Sequence, residues 1–206
     1  MVVIVDYGMG NLRSVYNKFR KMGVPAMISS NHEEIQKAEK LILPGVGHFA
    51  HGMKHLIETG LIELLNRKVL IEKTPILGIC LGMQLFTKHS QEGNVEGLGW
   101  IDAETVKFNF EPKSVDYKLK IPHMGWNSTQ QKKESKLLKG IAENTLYYFV
   151  HSYHVVCNNE KDILLSTDYS YTFTSGVQNE NIFGTQFHPE KSHEEGMQLL
   201  KNFIQI

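Results

Sequence analysis

The sequence predicts a three-layer α/β domain built on a mixed, mainly parallel sheet with helices on both faces. Short β-branched runs alternate with segments of helical periodicity through the first half of the chain. A glycine-flanked cysteine, Gly78-Ile79-Cys80-Leu81-Gly82, sits where one of those runs gives way to a helical pattern. Beyond Gly97 the pattern shifts to short aromatic and β-branched runs, as expected of antiparallel strands folded onto a parallel core.

The elements follow in order. Val2 to Val5 is a β-branched strand, and Leu12, Val15, Tyr16 and Phe19 then recur at helical spacing behind Asn11, a side chain suited to an N-cap, with Gly23 ending the helix. Pro25 to Ile28 reads as the second strand. Asn31 with Glu34 three residues on resembles a capping box opening a helix through Ala38. Leu41 to Leu43 is a third strand ending in Pro44-Gly45-Val46-Gly47, and helical patterns run from Phe49 to Glu58 and from Leu61 to Leu70. Pro75 to Ile79 leads into Cys80. In the second half the strand candidates are Thr105 to Phe108, Leu146 to Val150, Ile163 to Leu165, Tyr171 to Phe173 and Ile182 to Gly184. Glu111 to Lys139 carries seven lysines and little periodicity, so loops are expected there, and Glu194 to Ile204 reads as a closing helix. With 206 residues and no repeat or linker, residues 1–206 are expected to form one domain.

Composition narrows the function. A formal net charge of zero argues against non-specific nucleic-acid binding, which needs a surplus of Lys and Arg. Two cysteines without a Cys-x-x-Cys pair give no disulfide framework. Met1-Val2-Val3-Ile4-Val5-Asp6 has no basic n-region, and no apolar run reaches the roughly 20 residues needed to span a bilayer. The expectation is a soluble cytoplasmic protein with neither a membrane nor a nucleic-acid partner.

Cys80 carries the chemistry. A strand, a Gly-x-Cys-x-Gly turn and a helix make the layout of a nucleophile elbow, with glycines where bulkier side chains would collide. A thiol at a helix N-terminus also feels the positive end of the helix dipole, which favours thiolate. Alone, Cys80 would pass for a buried core cysteine; its glycines and a matching histidine reverse that. The histidine is His188, just past an apolar strand in Gln186-Phe187-His188-Pro189-Glu190-Lys191-Ser192, with Glu190 placed to hold its tautomer. Oxyanion donors are available from Gly45, Val46 and Gly47 and from the amide of Leu81.

Gly-Ile-Cys-Leu-Gly-Met-Gln, Pro-Gly-Val-Gly and Gln-Phe-His-Pro-Glu-Lys-Ser, in this order, closely resemble triad-type glutamine amidotransferases. More narrowly, Asp6 to Ser14, Pro122-His123-Met124-Gly125-Trp126-Asn127 and Tyr148-Phe149-Val150-His151-Ser152-Tyr153 look like the glutaminase subunits of imidazole glycerol phosphate synthases, and the likeness runs from residue 2 to the terminal helix. The resemblance implies a class-I amidotransferase fold with a flavodoxin-like core, and hydrolysis of glutamine by Cys80, His188 and Glu190 through a γ-glutamyl thioester, without cofactor or metal. It implies substrate contacts from Gln84, Ser152 and Tyr153. It also implies a heterodimer with a (β/α)8-barrel cyclase that receives the ammonia in histidine biosynthesis, contacted through Asn11, Trp126, Tyr148 and Lys191. Paralogues of such subunits that supply ammonia for amination of surface-polysaccharide sugars share this pattern.

Other motifs carry less. Gly8-Met9-Gly10 hints at a dinucleotide turn, but Arg13 stands in the third glycine position and no ribose-binding carboxylate is suitably placed. His48, His51 and His55 share a helical face without a nearby acidic or thiol ligand, so an exposed polar stripe is expected there. Cys157 lacks an elbow and reads as a structural thiol. A cysteine peptidase on the same fold is disfavoured by Gln84 and the Pro-His-Met-Gly-Trp-Asn stretch.

Overall fold

A computed structural model describes residues 1–110 and 119–206; the part of the expected loop region at 111–118 lies outside the described residues. Strands β1 (Val2–Val5), β2 (Ala26–Ser29), β3 (Lys40–Gly45) and β4 (Ile76–Cys80) alternate with helices α1 (Leu12–Lys21), α2 (His32–Gln36), α3 (Phe49–Glu58) and α4 (Leu61–Asn66), and β4 runs into α5 (Leu81–Gln84). Then come β5 (His89–Ser90), β6 (Val95–Glu96), β7 (Ala103–Lys107), β8 (His123–Ser128), β9 (Gln130–Gln131), β10 (Leu146–His151), β11 (Tyr153–Cys157), β12 (Ile163–Tyr169), β13 (Tyr171–Asn179), β14 (Ile182–Thr185) and α6 (His193–Gln205).

The main sheet has the order β2-β1-β3-β4-β14-β13-β11-β7-β5-β6, with β12 beside β13 and β9 beside β12. The first five strands of that order are parallel, and β13 and β11 continue it antiparallel. Strand β14 corrects the antiparallel expectation for Ile182 to Gly184: it lies parallel to β4 on one side and antiparallel to β13 on the other. Its four residues are all buried, the signature of a central strand covered on both faces.

Alternation along the strands divides the core. Val3, Val5, Leu41, Leu43 and Ile76 face α2, α3 and α4 through Ile35, Phe49, Leu56, Leu61 and Leu65. Val2, Ile4, Ile42, Leu77 and Ile79 face the other way, onto Val15 and Phe19 of α1 and Leu199, Leu200 and Phe203 of α6. Those two faces are the outer layers of the three-layer sandwich.

The lysine-rich stretch expected to be loops contains β8, which pairs antiparallel with β10 as a separate ribbon, Tyr148 opposite Trp126 and His151 opposite His123. Gly125, at φ 130°, and the alternation of buried His123 with exposed Met124 hid this strand from a search for apolar runs. The capping box at Asn31 is also only half made. Asn31 accepts from the amides of Glu33 and Glu34, but the Glu34 carboxylate takes the Ser29 hydroxyl, and that hydroxyl accepts from the Asn31 amide. Among the described residues, no helix is long and apolar enough to cross a membrane.

Candidate active site

Cys80 ends β4 at φ 55° and ψ −111°, a conformation that an L-residue holds only when its surroundings enforce it. The glycines around it enforce it. A Cβ on Gly82 would stand 1.7 Å from the Leu43 carbonyl oxygen, and one on Gly78 would stand 2.6 Å from the Phe86 ring. The chain can therefore turn from β4 into α5, against the end of β3, only with bare backbone at both positions. Helix α5 that follows is one turn long, shorter than the sequence suggested, so its macrodipole adds little at the sulfur.

Beyond β14 the chain enters a short 3₁₀ turn, Pro189–Lys191, opened by His188. His188 and Glu190 are buried, and His188 Nδ1 donates to Glu190 Oε1 at 2.8 Å, which leaves Nε2 as the basic nitrogen. Nε2 has no aligned hydrogen bond. Burial disfavours the imidazolium, but Cys80 and Glu190 close by outweigh it and lift His188 to about 9. Sγ of Cys80 lies 3.9 Å from the Val150 carbonyl, to which a thiol can donate, and receives the Gln186 Nε2 amide at 3.6 Å.

One cavity of about 320 Å³ joins the expected residues: Cys80, His188, Gln84, Ser152, Tyr153, Val46, Gly47 and Leu81 all line it. That is the size of a small-molecule site. Glu190 sits behind His188, as an orienting group must. Gly45 lies outside the lining, in register with Cys80; a Cβ there would meet the Tyr7 hydroxyl at 2.5 Å. That hydroxyl is buried without a partner, and burial, with the charge of Cys80 adding, pushes its pKa far up, so it stays protonated. Gln84 directs both amide hydrogens to the protein, at Tyr153 O (2.9 Å) and Gln186 Oε1 (3.0 Å), so only its oxygen can meet a ligand.

Two site residues escaped the sequence reading. Gln186 touches the nucleophile; it opens the Gln-Phe-His-Pro-Glu-Lys-Ser stretch just past β14, two residues before His188, but that stretch assigned it no role. Glu92 brings a carboxylate to the cavity, where its Oε2 accepts from the Phe49 amide at 2.8 Å. It lies in a Gln-Glu-Gly loop with no periodicity to mark it.

Three of the four residues expected at a partner surface lie against one another. Trp126 is 45% exposed on β8, its ring 6.1 Å from Tyr148 and stacked on His193 at 4.9 Å, and Lys191 Nζ lies 5.6 Å from the Tyr148 ring centre. Asn11 caps α1 by accepting from the Ser14 amide. Cys157 is half-buried and burial pushes its thiol up to about 11, which fits a structural thiol. His48 caps α3 through the Ala50 amide, and no group of three His, Cys, Asp or Glu that could hold a metal occurs among the described residues.

The family model for class-I glutamine amidotransferases matches residues 3–206. The chain is 54% identical to the imidazole glycerol phosphate synthase subunit HisH 2 of Methanococcus maripaludis, over 99% of this chain and 98% of that protein. It is 47% identical to a HisH 2 subunit of Pseudomonas aeruginosa, over the whole of both. Among solved structures it superposes on PurLQS from Thermotoga maritima with a TM-score of 0.73 at 16% identity, covering 99% of this chain and 97% of that one. The glutaminase domain of Trypanosoma brucei CTPS, solved with bound acivicin, matches with a TM-score of 0.64 at 16% identity, covering 99% and 93%. At such identities the structural likeness speaks for the fold.

Proposed function

The chain belongs to the class-I glutamine amidotransferases and, within them, to the HisH subunits of imidazole glycerol phosphate synthase, and we propose that it hydrolyses glutamine through Cys80, His188 and Glu190 for histidine biosynthesis. The observation that carries the reading is Cys80 held at a left-handed strand end, sharing one cavity with a His188 whose Nδ1 is bound to Glu190 and whose Nε2 is unengaged.

The reaction follows from that arrangement. His188 Nε2 accepts the thiol proton and Sγ attacks the side-chain amide carbon of glutamine. The oxyanion is met by the Leu81 amide and by amides of the Val46–Gly47 turn. The imidazolium then gives its proton to the departing nitrogen, ammonia leaves, and a γ-glutamyl thioester remains on Cys80. Water, deprotonated by His188, adds to the thioester carbonyl; glutamate departs and the thiol is restored. Glu92 and the Gln84 oxygen suit the substrate α-ammonium, and Ser152 and Tyr153 border the same cavity. No step needs a metal or cofactor.

The reading includes a partner that takes the ammonia, a cyclase built as a (β/α)8 barrel. The exposed Met124, Trp126 and Lys191, with half-buried Tyr148 between them, support a protein contact on and beside the β8–β10 ribbon. Two unpaired cysteines suit a reducing, cytoplasmic setting. Glutamate release from glutamine, with and without the cyclase and its nucleotide ligand, tests all of this, and strong stimulation by both is expected. A second reading has one observation behind it: relatives are numbered HisH 1 and HisH 2. A paralogue would supply ammonia for amination of a surface-polysaccharide sugar, and would hydrolyse glutamine without responding to the histidine-pathway cyclase.

A further inference from the structure

Gln186 is fully buried, and its side chain has one orientation open to it. Gln84 Nε2 donates to Gln186 Oε1 at 3.0 Å, so the Gln186 Nε2 amide must be the group at 3.6 Å from Cys80 Sγ. Gln84 is itself fixed, because its second amide hydrogen goes to the Tyr153 carbonyl at 2.9 Å.

That carbonyl is a junction. His151 Nδ1 also approaches it, at 2.7 Å, and a carbonyl can only accept, so Nδ1 carries the proton and Nε2 is an acceptor. His151 Nε2 lies 3.0 Å from His123 Nδ1, which must therefore donate, leaving His123 Nε2 to accept from Asn127 Nδ2 at 3.2 Å. Asn127 confirms the direction from the far end: its Oδ1 accepts from the Ser128 amide and its Nδ2 also donates to the Asp168 carbonyl. Each member has a single allowed donor–acceptor assignment, from β8 to the sulfur. Burial keeps both imidazoles in the neutral form this assignment requires.

We propose that Gln186 is a catalytic residue that stabilises the Cys80 thiolate by its Nε2–H, and that Gln84, His151, His123 and Asn127 are positioning residues that hold it in that orientation. The competing contact is the Val150 carbonyl, which can accept only from the protonated thiol. Gln186 thus favours the ionised sulfur and Val150 the neutral one. This assignment deepens the glutaminase reading, yet the state of the sulfur can be measured without glutamine.

The test follows the rate of iodoacetamide alkylation of Cys80 against pH on the full chain, with Cys80→Ala as the blank for Cys157. Titratable groups near the sulfur are His188 with Glu190 beyond β14, His151 on β10, Tyr7 after β1 and Glu92 in the loop lining the cavity. Gln186→Met keeps the volume and removes the donor. It should move the alkylation midpoint to higher pH and slow alkylation at pH 7 by about tenfold, the scale of a hydrogen bond to a charged group. Gln186→Glu keeps the acceptor for Gln84 and places a carboxylate at the thiolate, so its midpoint should lie higher still. His123→Phe, which breaks the chain at a distance, should shift the midpoint in the same direction by less. Wild-type midpoints in Gln186→Met and Gln186→Glu would overturn the proposal. A wild-type protein that alkylates normally but releases no glutamate even with the cyclase and its nucleotide ligand present would defeat the glutaminase reading and leave this one standing.

Discussion

The carbonyl oxygen of Leu43 fills the space in which a side chain on Gly82 would begin, 1.7 Å from the position of a Cβ. The end of β3 and the turn after the nucleophile are thereby packed backbone to backbone. Neither side can yield, since Leu43 is in the central ladder opposite Gly78 and Gly82 is already inside α5. Gly82→Ala is therefore expected to cost about 4 kcal/mol or more, the range of severe overpacking, or to prevent folding. Gly52→Ala in α3 meets only movable Leu85 and Leu81 methyls, at 3.3 Å and beyond, and gains helix propensity, so it should stay within about 1 kcal/mol of wild type. Urea unfolding of the two variants checks the contrast; equal costs would mean that the turn relaxes.

Cys80 at φ 55° pays in strain for its position. Cys80→Ala and Cys80→Gly both lack the sulfur and should release no glutamate above background. They differ by one methyl group whose loss ordinarily destabilises, yet here glycine adopts the backbone freely. Cys80→Gly is expected to be the more stable of the pair by about 1 kcal/mol, read from their denaturation midpoints. An alanine variant as stable as the glycine variant would show that the elbow carries no strain.

The parallel half of the fold was legible because each of its strands is a compact apolar run and each helix keeps its period. The grouping of Cys80 with His188 and Glu190 was legible because tight packing demands glycine at fixed offsets from Cys80, and because His188 and Glu190 are close in sequence. What escaped has physical reasons. Strand β8, His-Met-Gly-Trp-Asn-Ser, has no apolar or β-branched run and carries Gly125 inside it, so it resembles the lysine-rich chain beside it. Strand β14 looks antiparallel in sequence, since orientation depends on the neighbour it finds across the sheet. Gln186 and Glu92 act through contacts to residues far away in the chain, Cys80 and Phe49, which no local pattern records.

Cys80 and Glu190 together hold His188 protonated to unusually high pH. The His188 pKa rises from 6.5 to about 9, against the opposing effect of burial, through Cys80 and Glu190. The folded state therefore holds this proton more tightly than the unfolded one, and the stability it contributes is complete below about pH 6.5 and lost as the pH rises through 9. Glu190→Gln removes the charge but keeps an acceptor for Nδ1. It should lower the alkaline limb of the stability profile and reduce kcat/KM for glutamine by roughly ten- to a hundredfold, while His188→Asn loses general-base catalysis outright. Glutamate release and unfolding midpoints across pH 6 to 10, measured with the cyclase partner present for the former, decide it. An alkaline limb unchanged in Glu190→Gln would assign the raised pKa to Cys80 alone.

The buried histidines on the opposite side of the cavity act with the reverse sign. Burial pushes His123 down to about 4. It pushes His151 down as well; the Tyr153 carbonyl only partly opposes this, and the charges of His123, His154 and His188 add to it. Their folded forms bind a proton less tightly than the unfolded chain does at the ordinary value of 6.5. Stability is therefore full above pH 6.5 and is lost as the pH falls toward 4, each unit of separation being worth about 1.4 kcal/mol per group. Protonation also turns His123 Nε2 from acceptor to donor against the Asn127 amide, which has no acceptor to offer because its oxygen is held by the Ser128 amide. His123→Phe should be less stable than wild type at pH 7.5, where the chain of hydrogen bonds is intact. It should lose less on acidification, so the two urea-midpoint curves should converge toward pH 4. Parallel curves would place the acid sensitivity in the carboxylates and acquit these histidines.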